Sequence, residues 1–166
     1  MRIIKRINFA ALIFGLVLSL FSCKTLLAPE YDKAIVEAIT ITSEKTMSFF
    51  AEVAEGTSQS NFPEREEAYN RLIGAYDALA IKAKARPIPD NVATKKINQL
   101  LGQKGSNPIS GNYPSAFAFE KISETLMKMK QTDKQKDIGS IAIEAFKGQI
   151  EIFLDQAITY ESFLKR

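Results

Sequence analysis

The chain has 166 residues, a formal net charge of +3, no histidine, no tryptophan and a single cysteine. One cysteine excludes an internal disulfide. The lack of histidine excludes Ser-His and Cys-His nucleophilic pairs, imidazole acid–base work and the Glu-x-x-His di-metal sites of helical bundles. The length fits one domain with a targeting segment attached. The basic surplus is local: Arg2, Lys5 and Arg6 precede the first acid, Glu30, and without those three the 22 basic groups fall to 19, matching the 19 acidic ones. A neutral remainder gives no electrostatic reason to expect nucleic acid as a partner.

In chain order, the basic start is followed by an uncharged run from Ile7 to Ser22, with Asn8 its only strongly polar side chain. A positive start, a short apolar stretch and a small residue before the cut form the layout of a secretory signal. The run falls short of the roughly 20 apolar residues that a spanning helix needs, so a permanent transmembrane anchor is the weaker reading. Leu20-Phe21-Ser22-Cys23 resembles the lipobox of bacterial lipoproteins, with an aliphatic residue three before the cysteine and a small residue directly before it. Phe21 is bulkier than that pattern prefers. The resemblance covers the first 23 residues and is silent on the fold behind them. It implies removal of residues 1–22, a diacylglycerol on the Cys23 thiol and an acylated new amino group, so that the protein meets the membrane through acyl chains on Cys23. Two or three chains hold a protein stably where one binds marginally. The alternative for Cys23 is a buried free thiol, or a thiol in an uncleaved anchor. Lys24 stands where enterobacterial members of the class carry an inner-membrane retention Asp, which implies the outer membrane, facing the periplasm. Pro29 lies six positions after Cys23, a reach of at most about 20 Å. Residues 23–28 thus read as a short tether and 29–166 as the domain.

The domain shows helical periodicity and no strand with convincing alternation. A first helix is expected over 29–55, opened by Pro29 with Glu30 and Asp32 in its first turn, and striped by Ile35, Ile39, Thr42, Thr46, Phe49 and Val53, with Phe50 and Ala54 beside it. Its threonines predict a layer that packs small or holds a polar contact. Gly56 stops it. A second helix, 63–86, has Asn61 as its cap, Glu64, Glu66 and Glu67 early, and the stripe Tyr69, Leu72, Tyr76, Leu79 and Ala83; Pro87 and Pro89 end it. A short third helix is capped by Asp90 or Asn91 and has Val92, Ile97, Leu100 and Leu101 as its apolar face. Residues 105–114 form a turn-rich loop without the strand and Lys-Ser/Thr of a P-loop. A fourth helix, 115–131, carries Phe119, Ile122, Leu126 and Met129; Thr132-Asp133 reads as a break and a new cap, with a continuous bent helix as the alternative. A fifth, 134–164, has one stripe of Phe146, Ile150, Phe153, Ala157, Tyr160 and Leu164, and a second of Ile141, Ala145, Gly148 and Ile152. Two stripes predict contact with at least two other helices. The sum is an all-α antiparallel bundle of four to five helices.

The chemistry is sparse. Glu64, Glu66 and Glu67 read as first-turn acids that stabilise a helix, since neighbours on a helix do not converge on one point. No EF-hand spacing is present, and neither a metal nor a cofactor is expected. Lys121, Lys128, Lys130, Lys134 and Lys136 alternate with acids and read as a solvated face. Tyr69, Tyr76 and Tyr160 fall on core stripes, where they line a pocket or pack by their rings with the hydroxyl at the edge. Tyr113, among Gly, Asn and Pro, either plugs the bundle or is displayed to a partner. These four tyrosines are the binding candidates, Cys23 is the lipid-attachment candidate, and no catalytic residue is assigned. The reading is a non-enzymatic envelope interaction or scaffold protein whose partner is another envelope protein. The alternative is a carrier of a lipid or other apolar ligand, which needs a connected apolar cavity of about 300 Å³ or more. A hydrolase using carboxylates and tyrosines is a third class, and needs carboxylates converging in a cleft.

Overall fold

A computed structural model describes residues 28–103 and 113–165. The signal-like segment, Cys23 and most of the 105–114 loop lie outside the described residues. Among the described residues five α-helices form: α1 (Lys33–Glu52), α2 (Phe62–Lys84), α3 (Val92–Gln103), α4 (Pro114–Gln135) and α5 (Ser140–Leu164). The only strands among the described residues are β1 (Gly56–Thr57) and β2 (Ile138–Gly139), which pair antiparallel. The all-α bundle expected from the periodicity is what forms.

Packing runs in a ring, α1 on α2, α2 on α4, α4 on α5 and α5 back on α1, with α2–α4 the most extensive contact. The β1–β2 pair joins the α1–α2 turn to the α4–α5 turn, so both turns lie at one end of the ring, the turn end. The start of α1, the end of α2, the start of α4 and the end of α5 lie at the other. The four helices therefore alternate up and down, and α3 is an excursion in the long α2–α4 connection at the second end.

The core follows the stripes. Every stripe residue of α1 and α2 named above is buried, as are Phe119, Ile122, Leu126 and Met129 of α4. Each fully buried Ile, Leu or Phe contributes about 1.5–3 kcal/mol, and two T-shaped pairs, Phe49 with Tyr69 and Phe49 with Phe50, add directionality. Ala54 is exposed instead of widening the α1 stripe.

The boundaries differ from expectation at four places. The α1 helix starts at Lys33 because the Asp32 carboxylate caps it, accepting the Ala34 and Ile35 amides at 2.8 and 3.4 Å; Pro29 stays outside. Asn61 occupies the cap position of α2 without a side-chain capping bond. The expected break at Thr132-Asp133 does not occur, and α4 continues to Gln135. The chain turns instead at 136–139, so α5 begins at Ser140. Two apolar faces also differ. In α3 only Thr94 is buried, and Val92 and Leu100 are exposed. In α5 the core is made by Ile143, Ile150, Leu154 and Ala157, whereas Ile141 and Ile152 of the second stripe are 87% and 68% exposed. The α5 helix does contact two others, but through one stripe.

Among the described residues Gly56 is the one whose conformation demands glycine. Its φ is +110°, and a Cβ there would lie 2.7 Å from the Ile138 carbonyl oxygen. The close approach is what lets the two turns pair.

Candidate functional site

Each end of the ring is closed by a buried Arg–carboxylate pair. At the turn end, Asp133 is fully buried, and Arg65 donates to it twice, Nε to Oδ2 at 2.9 Å and Nη2 to Oδ1 at 2.8 Å. Tyr69 Oη donates to Oδ2 at 3.2 Å, and Arg65 Nη2 also donates to the Ser58 carbonyl at 2.8 Å. Burial opposes ionisation of Asp133, but the Arg65 hydrogen bonds, the Thr57 hydroxyl, the Arg65 charge and Tyr69 together outweigh it and hold the carboxyl below its ordinary value. Thr57 Oγ1 lies against this cluster without meeting hydrogen-bond geometry. Burial and the adjacent carboxylate push the Tyr69 phenol strongly up, so it stays protonated as a donor. Asp137 finishes this end by accepting the Gln59 amide at 2.7 Å.

At the opposite end Arg86 holds Glu161 end-on, Nη1 to Oε2 at 2.9 Å and Nη2 to Oε1 at 2.7 Å. Nη2 also donates to Ser115 Oγ at 3.1 Å, and all three side chains are buried or nearly so. The fork matches the carboxylate geometrically, which is what lets a charge pair survive burial. Tyr113 closes the cluster from the loop. Its ring lies 5.2 Å from the Arg86 guanidinium carbon and stacks on Tyr160 at 6.5 Å, and its hydroxyl donates to the Pro87 carbonyl at 3.0 Å. The tyrosine is buried, so it plugs this end.

The four tyrosine candidates therefore occupy three places. Tyr113 and Tyr160 meet over Arg86, Tyr69 belongs to the turn-end cluster, and Tyr76 lies mid-core. Tyr76 Oη pairs with Thr46 Oγ1 at 2.9 Å, and Thr46 donates on to the Thr42 carbonyl at 2.7 Å; this is the polar contact the threonine layer predicted. Burial pushes the Tyr76 phenol up to about 12 against the Thr46 bond. Burial, with Glu161 and Tyr113 alongside, pushes the Tyr160 phenol up to about 12 against the Arg86 charge. The early α2 acids do not converge: Glu66 pairs with Lys130 at 3.2 Å, and Glu67 pairs with Arg71.

A half-open groove of about 390 Å³ runs between α1 and α5, bounded by Met47, Phe50, Ala51 and Ala54 on one side and by Ser140, Ile143, Glu144 and Lys147 on the other. None of the four tyrosines lines it. Among the described residues no three acidic side chains gather as metal ligands, and no helix is long and apolar enough to cross a membrane.

Arg65, Asp133, Arg86 and Glu161 were not singled out from the sequence. A signal existed: each extends an apolar stripe, Asp133 four residues after Met129, Glu161 four after Ala157, Arg65 four before Tyr69 and Arg86 three after Ala83. An acid continuing a core stripe demands a buried cation.

No protein-family model, no curated protein and no solved structure matches the chain.

Proposed function

We propose that this is a lipid-anchored envelope protein, held by acyl chains on Cys23 and presenting the bundle as a non-enzymatic scaffold to another envelope protein, on the periplasmic side of an outer membrane. The observation that carries the reading is Leu20-Phe21-Ser22-Cys23 closing a signal-like segment, with the chain's only cysteine at the cut. The buried charges support a scaffold rather than a catalyst, because Asp133 and Glu161 are both committed to internal arginines. The outward stripe of α5, Ile141, Ala145, Gly148 and Ile152, offers apolar surface for a protein partner. Tethering acts by confining both proteins to one surface, which raises their effective concentration.

The groove between α1 and α5 favours the carrier reading, since its volume is sufficient and one wall is apolar. Against that, it opens to solvent and includes Glu144 and Lys147, where a carrier seals its ligand.

Substituting Cys23→Ala tests the anchor. The proposal expects the protein to leave the membrane fraction, or to remain as an uncut precursor. A C23A protein still cut after residue 22 and firmly membrane-bound would refute it.

A further inference from the structure

The α3 helix is built unlike the other four. It is amphipathic, yet Thr94 is its only buried side chain. Val92, 83% exposed, and Leu100, 50% exposed, lie with Lys96 at i, i+4 and i+8 on one outward face. Ile88, just before the helix, is exposed too. The helix contains Lys95 and Lys96 and no acid; Lys95 makes a surface pair with Asp90 at 3.0 Å, a contact that another anion can replace. Its position matters as much. The connection that contains α3 leaves and rejoins the ring at the end where α1 begins, which is the end the tether enters. Six residues from Cys23 to Pro29 reach at most about 20 Å, so acyl chains on Cys23 bring this end of the bundle to the membrane.

We infer that α3 lies on the bilayer that holds Cys23, with Val92 and Leu100 at the boundary of headgroups and acyl chains and Lys95 and Lys96 against lipid phosphates. The inference rests on the lipid-anchor reading and deepens it. A helix this short, with two lysines, binds a bilayer weakly by itself. The tether removes the entropic cost of encounter, so a weak contact becomes a persistent one and fixes the tilt of the bundle. A bilayer suits α3 better than a protein does because the helix is basic and sits at the tethered end. The outward stripe of α5 starts at the opposite end and is flanked by Glu144, Glu151 and Asp155 against one lysine, Lys147, so it lacks the basic character of α3.

The chain has no tryptophan, so one substitution gives an unambiguous probe. Leu100→Trp and, as control, Ile141→Trp replace exposed side chains that the fold does not need. Each full-length protein is expressed, extracted from its membranes and reconstituted into phosphatidylethanolamine–phosphatidylglycerol vesicles with brominated acyl chains. The expected result is loss of most of the emission of the L100W protein, with I141W unaffected. If L100W protein floats with the vesicles and carries acyl mass, yet is not quenched, the α3 contact is wrong and the anchor stands. A protein without acyl groups overturns both. L100W emission protected from both aqueous quencher and bromolipid, with a second polypeptide co-purifying, assigns α3 to a protein partner and also overturns the inference.

Discussion

The two ends of the bundle solve one problem with the same chemistry and differ in what surrounds it. Both bury a carboxylate and satisfy it with a bidentate arginine, Arg65 in the first turn of α2 and Arg86 just past its end. At the turn end, every flanking segment is short and fastened: β1 pairs with β2, Gly56 meets Ile138, and Asp137 caps the turn at Gln59. At the opposite end the α2–α4 connection is long, Tyr113 covers the ion pair as a plug, and α3 keeps Val92 and Leu100 in solvent. A buried pair thus closes an end whether or not the chain there is tightly held. The loosely covered end is the one free to meet another surface, and it is also the end where α1 begins, which the proposed tether would enter.

The largest expected effect is at Arg86. Arg86→Met leaves Glu161 buried and uncompensated, a loss of about 3–5 kcal/mol, seen as a fall in Tm of about 10 °C or more. Adding Glu161→Met should restore most of it, because replacing both charges by apolar volume is often neutral or stabilising. A double variant as unstable as the single one would mean that the pair is not the cause. Next comes Gly56→Ala. The positive φ and the contact with the Ile138 carbonyl predict a loss of about 1–3 kcal/mol in denaturant unfolding, and an unchanged midpoint would show that the turns are not held by this approach.

The smallest effect is in acid. Asp133 has its carboxyl held below the ordinary value of 3.8 in the fold, so its contribution is present at neutral pH. That contribution is lost as pH falls below the ordinary value and through the lowered one. Asp133→Asn should therefore be destabilised at neutral pH and should show a flatter loss of Tm than the parent below about pH 5. Parallel acid limbs would remove Asp133 from the account.

Much of the bundle was legible because its core stripes are local patterns. Ile35 to Val53 and Tyr69 to Ala83 repeat every three or four residues, and helix and core follow from that spacing alone. Thr46 was legible too, as a polar residue in an apolar stripe that needed a partner. What failed depended on partners far away in sequence. Thr132-Asp133 has the composition of a cap, but Asp133 is drawn inward by Arg65, 68 residues earlier, and the tertiary pair overrides the local preference. Glu161 and Arg86 are 75 residues apart. In α5 the first stripe supplies Ile150 and Ala157 to the core, but Ile143 and Leu154, which lie on neither expected stripe, complete it, and only the packing of α1 and α4 decides that they face inward while Ile141 and Ile152 do not. Of the candidate tyrosines, Tyr113 was readable as a plug or a display, and the Pro87 carbonyl that receives its hydroxyl decides for the plug.

The proposed anchor on Cys23 decides which end of the bundle would meet the membrane. The most direct test is the intact mass of the protein extracted gently from its own membranes. The expected mass is that of residues 23–166 plus two or three acyl chains and glycerol, with the added mass on the residue-23 end of the chain. A mass equal to the full 166 residues, or to a processed chain with an unmodified cysteine, would contradict it.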